Sequence, residues 1–370
     1  MPPQPAAMPK ERAFQALAIL LAVVLLESVL LGVLWLRWRA AVAREPADAL
    51  TIPAGNLIRQ AYPEVDFSFI YPGQSPEEID LIQREAFALP YRYEAFTGFC
   101  ITPTNGRTVT VTDAGFRVGA AARPWPPDQT AINVFVFGGS TTFGCGVAGR
   151  DTLPSALERE LQRACPGGRF ACYNFGCGYY FSTQERLRLE QLLADGHVPK
   201  LAIFVDGLND FYAPHGIPEF SARVARAFPG AAPFNLPTIT SAEQANALCE
   251  SMLNRYRAHV RMVIALMREW DFQLLIIGQP VPFFEFPRTP ATYPFPLPTR
   301  QHPFAAAAYD RFRQRAASGE FGAQFLWCGD AFASAQSVMY ADSIHYSPEG
   351  NRVLARVIVE RARQRGLLKL

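Results

Sequence analysis

The chain has 370 residues, of which 49% are apolar and 18% charged, so it is neither an intrinsically disordered chain nor a small disulfide-stabilised scaffold. Its 35 basic and 33 acidic residues nearly balance, to a formal net charge of +2, and no long run of one sign occurs. This balance argues against a nucleic-acid-binding surface of the usual basic kind.

The first predicted element is an apolar stretch near the amino terminus. From Ala13 to Leu36 the only charged residue is Glu27. Because about 20 apolar residues span the hydrocarbon core of a bilayer, residues 13–38 are predicted to be a transmembrane anchor after a short tail, residues 1–12. A signal peptide is the competing interpretation, since residues 41–43 read A-x-A, but its apolar part normally has only about 7–15 residues.

The orientation of this anchor does not follow from charge, because basic residues lie on both sides of it. All the residues that carry recognisable chemistry follow the anchor in the chain. We expect a single-pass membrane protein whose catalytic part lies outside the cytoplasm, in the periplasm.

Residues 39–130 show weak periodicity and many turn-forming residues. Within them, Arg107 to Asp113 alternates threonine with valine, which predicts a strand. The rest is too polar and too often broken by proline to predict an independent core. We therefore expect a linker and accessory arm here, ahead of a catalytic domain at residues 131–370.

From residue 131 onward, strands and helices alternate. Fully apolar runs with helical patterns between them are typical of a parallel sheet covered on both faces. Ser182-x-x-Glu185 and Ser347-Pro348 predict helix starts, and residues 241–270 predict a long helix. Residues 213–240 and 280–304 predict irregular structure, the second as a lid or groove wall. The five predicted strands are residues 132–137, 169–175, 201–206, 273–278 and 323–328.

Polar or glycine-rich segments follow four of these strands, at the edge where parallel sheets bind ligands. Ser140 follows the first strand, Gly178 the second and Asn209 the third, and Asp342 and His345 follow the fifth. Acyl-transfer chemistry requires such a set: a hydroxyl nucleophile, N–H donors for an oxyanion, and an imidazole with a carboxylate.

These motifs, in this order from Ile132 to the carboxyl terminus, resemble the SGNH (GDSL-like) hydrolase superfamily. The resemblance implies a three-layer αβα, flavodoxin-like fold with a five-stranded parallel sheet. It also implies a serine esterase that acts on an acyl ester, of a lipid or of an acylated carbohydrate. Ser140 is then the nucleophile, His345 the general base and Asp342 its orienting acid. The oxyanion hole is formed by the Ser140 N–H, the Gly178 N–H and the Asn209 amide.

Two positions depart from the family pattern. The family has aspartate before the serine, where this chain has Gly139. The second block usually has glycine where Tyr179 falls when the alignment is made on Asn174. The second oxyanion donor is therefore the N–H of Gly178 or of Tyr179. An α/β-hydrolase shares the order Ser, Asp, His, but its G-x-S-x-G motif is broken here by Thr142.

Two alternative functions stay open. One is an O-acyltransferase or deacetylase acting on a cell-surface polysaccharide. The other is a catalytically idle module of the same fold that binds carbohydrate or lipid. The presence of Ser140, Asp342 and His345 together argues against the idle module.

The sequence predicts neither a metal nor another cofactor. Its seven cysteines form no C-x-x-C pair, and no pair of histidines has ligand spacing. Cys165 and Cys172 flank a short loop, so a disulfide between them is sterically allowed in an oxidising compartment.

Overall fold

The computed structural model of the chain describes residues 10–42, 55–211, 241–298 and 305–368. The chain divides into two compact units, Met1–Ala49 and Leu50–Leu370. The first unit contains helix α1 (Lys10–Val42). Its segment Leu17–Arg37 is long and apolar enough to cross a membrane, by length and composition, and none of it is buried.

The second unit begins with short elements that pack around one edge of a larger sheet. Helix α3 is an example of an element whose start is determined by local sequence. Ser75 accepts a hydrogen bond from the Glu78 N–H, the Glu78 carboxylate accepts one from the Ser75 N–H, and Pro76 occupies the first helical position. The elements are α2 (Leu57–Ala61), α3 (Pro76–Phe87), the hairpin β1 (Tyr91–Glu94) with β2 (Gly98–Ile101), and the pair β3 (Thr104–Asn105) with β4 (Thr110–Val111).

The strand predicted over Arg107–Asp113 is much shorter than expected. Only β4 is a strand, because the N–H groups of Arg107, Thr108 and Val109 donate to the carboxylate of Glu85 and not to a neighbouring strand. Glu85 lies on α3, more than 20 residues earlier, so the local alternation of side chains does not reveal this contact.

Five parallel strands form the main sheet, in the order β6-β5-β7-β8-β9. Counted along the chain this is 2-1-3-4-5, the flavodoxin-like order, in which ligands bind where the order reverses. All five predicted strands are present, with ends that differ by up to two residues. They are β5 (Ile132–Gly138), β6 (Phe170–Asn174), β7 (Leu201–Asp206), β8 (Gln273–Gly278) and β9 (Phe325–Trp327).

Helices cover both faces of this sheet and give three layers. Alternate side chains of β5 point to opposite faces: Val134 and Val136 belong to one apolar core, Phe135 and Phe137 to the other. The helices are α4 (Ser140–Phe143), α5 (Leu153–Ala164), α6 (Ser182–Ala194), α7 (Ala242–Trp270), α8 (Ala305–Ala317) and α9 (Pro348–Gln364). Helices α5 and α9 pack together on the first face, and α6, α7 and α8 on the second.

Side chains from residues 55–130 enter the same cores as the sheet. Ile70, Ile79 and Ile82 lie in the cluster that contains Val134, and all are almost fully buried. Burying an isoleucine side chain contributes about 1.5–3 kcal/mol, so these residues stabilise the sheet domain substantially.

All three predicted helix starts are correct, but one of the predicted caps is not. Ser347 caps α9 by accepting from the Gly350 N–H, with Pro348 in the first position, and Ser241 caps α7. Ser182, however, is the first residue of α6 and not its cap. Its hydroxyl donates to Asp210, 28 residues later, which no local capping pattern predicts.

The described residues of the two predicted irregular segments contain neither helix nor strand. Residues 280–298 form turns whose aromatic side chains, Phe286, Tyr293 and Phe295, are buried in the first core. Residues 213–240 lie outside the described part of the chain. Cys165 and Cys172 are free thiols.

Candidate active site

Three side chains form a hydrogen-bonded line at the edge of the sheet. Oδ2 of Asp342 lies 2.7 Å from Nδ1 of His345, and Nε2 of His345 lies 2.9 Å from Oγ of Ser140. The side chains of His345 and Asp342 are 13% and 6% exposed. The structure therefore brings together the three residues that the sequence predicts as nucleophile, base and orienting acid.

The carboxyl-terminal ends of the strands position this line. Ser140 opens α4 immediately after Gly139, which follows β5. His345 lies in the loop between β9 and α9, and a backbone bridge between Tyr340 and Tyr346 closes that loop on both sides of it. The Ser347 cap then starts α9, so the loop is fixed at both ends.

The environment of Asp342 keeps it ionised. Its Oδ1 accepts the N–H groups of Ile344, at 2.7 Å, and His345, at 2.8 Å. Burial alone raises the pKa of Asp342, but the electrostatic interaction with His345 and these hydrogen bonds outweigh it, so the pKa lies below its ordinary value. A carboxylate that accepts the Nδ1–H of His345 leaves Nε2 as the acceptor that faces Ser140.

The glycines before the serine leave room for the groups around it. A Cβ on Gly138 would lie 2.1 Å from Oγ1 of Thr142. A Cβ on Gly139 would lie 2.4 Å from Nδ2 of Asn209 and 2.9 Å from the Tyr180 carbonyl oxygen. An aspartate side chain at position 139 would therefore collide with Asn209 and with the Tyr180 carbonyl.

Asn209 follows β7 and faces the nucleophile turn. Its Nδ2 donates to the carbonyl of Tyr180, at 2.7 Å, so the side-chain amide is held in place by the loop that follows β6. One N–H of this amide is used in that bond, and an amide nitrogen has two. The predicted oxyanion donor Asn209 therefore lies beside the residue that precedes Ser140.

The loop after β6 carries the other two candidate donors. The Cys177 N–H donates to Gly138 and the Tyr180 N–H to Cys177, so Gly178 and Tyr179 form the tip of the turn between them. Tyr179 has φ 66°, in the left-handed region that glycine adopts without strain. The backbone of Tyr179 therefore has the conformation expected for the glycine that the resemblance places there.

Three residues that the sequence interpretation missed contact this site. The ring of Phe87 packs edge-on against His345, and the Tyr91 hydroxyl lies against Gly178, where a Cβ would come within 2.1 Å of it. Gln279 follows β8, and its Oε1 accepts from Thr141, next to Ser140, at 2.9 Å. Gln279 could have been predicted as a site residue, because it directly follows a strand of the sheet. Nothing in the local sequence indicates that Phe87 or Tyr91 contacts the site.

A buried carboxyl cluster lies beneath Asn209. Asp210 accepts from Ser182 at 2.5 Å, and Asp206 accepts from the Tyr256 hydroxyl at 3.0 Å. Burial raises the pKa of Asp206 to about 7 and that of Glu185 well above its usual range. Oε2 of Glu185 and Oδ1 of Asp206 are buried and have no hydrogen-bond partner in the described ranges, and each carboxyl influences the pKa of the other, which fits one proton shared between them.

In the described part of the chain, no group of three or more His, Cys, Asp or Glu side chains is arranged to hold a metal ion.

Comparison with known proteins identifies one family. The model of the GDSL-like lipase/acylhydrolase family matches residues 136–353, more than half of the chain. No curated protein matches the sequence significantly. The family assignment depends on the family model and not on the similarities to solved structures, which are low.

The similar solved structures include two acetyl xylan esterases. One is an acetyl xylan esterase, with 16% identity, 62% of this chain and 99% of that chain covered, and a TM-score of 0.38. Another, an acetyl xylan esterase from Geobacillus stearothermophilus, has 15% identity, 65% and 97% coverage, and a TM-score of 0.36. On the family match, the chain belongs to the GDSL-like lipase/acylhydrolase family and is an enzyme that hydrolyses ester bonds.

Proposed function

We propose that the chain is a membrane-anchored serine esterase in which Ser140 attacks an acyl ester and His345 and Asp342 activate it. The observation that carries this proposal is the hydrogen-bonded line from Asp342 through His345 to Ser140, with 2.7 and 2.9 Å between the heavy atoms. A serine hydroxyl is a weak nucleophile at its free pKa and needs such an adjacent base.

In the proposed reaction, Nε2 of His345 takes the proton of Ser140 as Oγ attacks the ester carbonyl carbon. The protonated imidazole then gives this proton to the leaving alcohol, and an acyl-serine forms. A water molecule, deprotonated by His345, then attacks the carbonyl carbon of the acyl-serine. The bond to Ser140 Oγ breaks, Oγ takes the proton back from His345, and the carboxylic acid is released. Asp342 holds the tautomer that leaves Nε2 free to accept, and it stabilises the imidazolium.

We further propose that the negative charge on the ester oxygen is stabilised by three N–H donors. These are the backbone N–H of Ser140, the side-chain amide of Asn209, and one backbone N–H at the turn after β6. The left-handed backbone of Tyr179 supports its N–H as the third donor in preference to that of Gly178. Donors of this kind contribute about 2.7–4 kcal/mol each to transition-state stabilisation.

The proposed substrate is an acyl ester of a lipid or of an acylated carbohydrate, in line with the family. The proposed anchor is α1, with residues 131–370 as the catalytic domain and 39–130 as its accessory arm, on the extracytoplasmic side of the membrane. The apolar, unburied window Leu17–Arg37 supports the anchor. Protease digestion of spheroplasts, whose outer membrane is opened, tests the orientation: a periplasmic domain is degraded, and a cytoplasmic one is protected until the inner membrane is lysed.

Covalent labelling of the full chain in detergent with a fluorophosphonate tests the proposed nucleophile. Such a reagent phosphonylates an activated serine, with loss of fluoride, and peptide mass mapping then identifies the modified residue. We expect modification at Ser140, and hydrolysis of a short-chain nitrophenyl ester that is inhibited in proportion to the labelling.

The controls are Ser140→Ala, which removes the nucleophile, and His345→Ala, which removes its base. Both are expected to abolish labelling at this position, and Ser334→Ala, in a turn before α9, is expected to leave it unchanged. Labelling of Ser140 that persists in His345→Ala would refute the proposed base.

A further inference from the structure

Arg117 is among the largest fully buried side chains in the described residues and is 1% exposed. It lies between β4 and β5, before the part of the chain that the family model matches. In the described residues its guanidinium is bonded only to main-chain carbonyl oxygens and to no carboxylate. Burying a cation without a carboxylate partner costs free energy, so the carbonyl contacts must stabilise the guanidinium.

Those contacts hold the end of the short helix that begins with Ser140. Nη1 of Arg117 donates to the carbonyls of Phe143, at 2.9 Å, and Gly144, at 2.7 Å, and Nη2 donates to that of Val147, at 2.6 Å. Phe143 is the last residue of α4, and Gly144 is its left-handed cap. The last carbonyls of a helix have no partner within it, and a cation is favourable at that end.

The main chain of Arg117 connects the same turn to the loop that carries the proposed oxyanion donors. Its N–H donates to the carbonyl of Asn174, the last residue of β6, at 2.9 Å. The side chain of Asn174 in turn donates to the carbonyls of Thr142 and Phe143, both at 3.1 Å. Arg117 and Asn174 thus bind the end of α4 together, from two different segments of the chain.

A carboxylate compensates the arginine indirectly. Glu85 of α3 accepts the N–H groups of Arg107, Thr108 and Val109, and the Thr108 carbonyl faces Nη2 of Arg117 at 3.5 Å. The peptide at Thr108 is therefore oriented between a negative and a positive group. Burial lowers the pKa of Arg117 to about 10, with opposing contributions from Cys145 and Glu85, so the guanidinium is still charged at neutral pH.

We infer that Arg117 is a positioning residue for the proposed esterase reaction: it fixes the end of α4 and thereby holds Ser140 Oγ against His345. This inference rests on the proposed function. It gives residues 55–130 a role in positioning the nucleophile, in addition to packing against the sheet. An apolar side chain of the same size would fill the space but would remove the guanidinium donors from three buried carbonyls. The carbonyls of Phe143 and Gly144 would keep one donor each, from Asn174 and the Val147 N–H, and that of Val147 would lose its side-chain donor.

Arg117→Met and Arg117→Lys in the full chain test this inference. With a nitrophenyl ester, we expect Met to lower kcat about 10- to 100-fold with little change in KM, because a small displacement of a nucleophile has effects of this size. Lysine, whose ammonium can donate to three carbonyls, is expected to recover part of that loss. Fluorophosphonate labelling of Ser140 should slow by the same factor as kcat.

Two control variants separate positioning from general loss of stability. Ile358→Ala truncates a fully buried residue of α9, and Arg365→Met removes an arginine bonded to the carbonyls of Ala323 and Phe325, at the opposite edge of the sheet. Assayed well below their melting temperatures, both are expected to keep the wild-type kcat. A folded Arg117→Met with wild-type kcat, or an equal kcat loss in Ile358→Ala, would overturn the inference.

Hydrogen exchange of residues 139–148 provides a readout that does not depend on catalysis. We expect faster amide exchange there in Arg117→Met and not in Ile358→Ala. If the wild-type protein shows neither hydrolysis nor labelling at Ser140, the proposed function fails, and exchange alone decides the role of Arg117. Unchanged exchange in Arg117→Met would then refute it, and faster exchange would support it.

Discussion

The ring of Phe87 meets the imidazole of His345 edge to face, with centroids 5.5 Å apart and planes at 70°. Phe87 is the last residue of α3 and lies outside the segment that the family model matches, whereas His345 lies inside it. The general base proposed for the reaction is therefore packed on one side by a residue that does not belong to the shared part of the family fold.

We predict that the carboxylate of Asp342 is required for activity because it holds His345 in the correct tautomer. Asp342→Asn can keep a hydrogen bond to His345 but favours the wrong tautomer, so kcat should fall by about 10⁴-fold while KM changes little. Steady-state kinetics on a nitrophenyl ester measures this. Asp330→Asn, which alters a carboxylate bonded to Arg361 away from the site, is the matched control and should keep kcat. Equal losses in both variants would contradict the prediction.

We predict that Gly178 is required for steric reasons. In Gly178→Ala the new Cβ would lie 2.1 Å from the Tyr91 oxygen, so the turn after β6 must shift and kcat should fall about 10- to 100-fold. Tyr91→Phe removes that oxygen and leaves the nearest ring carbon at 3.3 Å. The double variant should therefore be more active than Gly178→Ala alone.

Gly167→Ala is the control for that experiment, since no atom lies within 4 Å of its Cβ position. It should be as active as the wild-type enzyme. A double variant no better than Gly178→Ala would show that the loss has another cause than contact with Tyr91.

We predict that the buried carboxyl cluster makes the protein less stable as pH rises. The folded-state pKa of Asp206 is raised from 3.8 to about 7, so the folded state binds more protons than the unfolded state between these values. Stability from this group is intact below about pH 4 and is lost as pH rises toward 7, at about 1.4 kcal/mol for each pH unit. Asp206→Asn should remove most of this slope.

Urea unfolding between pH 4 and 7 measures the effect as the difference between variant and wild type. Asp195→Asn, which changes an exposed carboxylate, should leave the slope as in the wild type. Parallel curves for the Asp206→Asn variant and the wild-type protein would refute the shared-proton interpretation of Glu185 and Asp206.

We predict that residues 55–130 are necessary for folding of the sheet domain. A fragment of residues 50–370 contains both cores complete and should be soluble and active. A fragment of residues 131–370 loses Ile70, Ile79 and Ile82 from the first core and should be insoluble or inactive. Solubility, circular dichroism and ester hydrolysis of the two fragments test this. An active, folded fragment of residues 131–370 would also contradict the role inferred for Arg117.

The fold could be predicted from the sequence where the pattern is local. Each strand of the main sheet is a short, continuous apolar run, because both faces of the sheet are covered by helices. The nearness of Ser140 to His345 could also be predicted, since each follows a strand and parallel strands end at one edge. Short motifs at those ends were enough to identify the family.

The rest could not be predicted because it depends on contacts between distant segments. Glu85 prevents the expected strand by binding three N–H groups of a loop, and Asp210 takes the hydroxyl of Ser182 that a capping box would use. Arg117 is one of many arginines in the sequence, and only the fold shows that it is buried. Hydrophobic periodicity carries no information about such polar contacts.

The separation of Ser140 and His345 by 205 positions has a consequence for synthesis of the protein. The ribosome completes the serine, its strand and its helix long before it makes His345, the base proposed to activate Ser140. On the proposed mechanism, Ser140 is an ordinary alcohol until then, and the unfinished chain does not attack esters. With α1 as the proposed membrane anchor, this order delays the proposed chemistry until the last strand of the sheet has been synthesised.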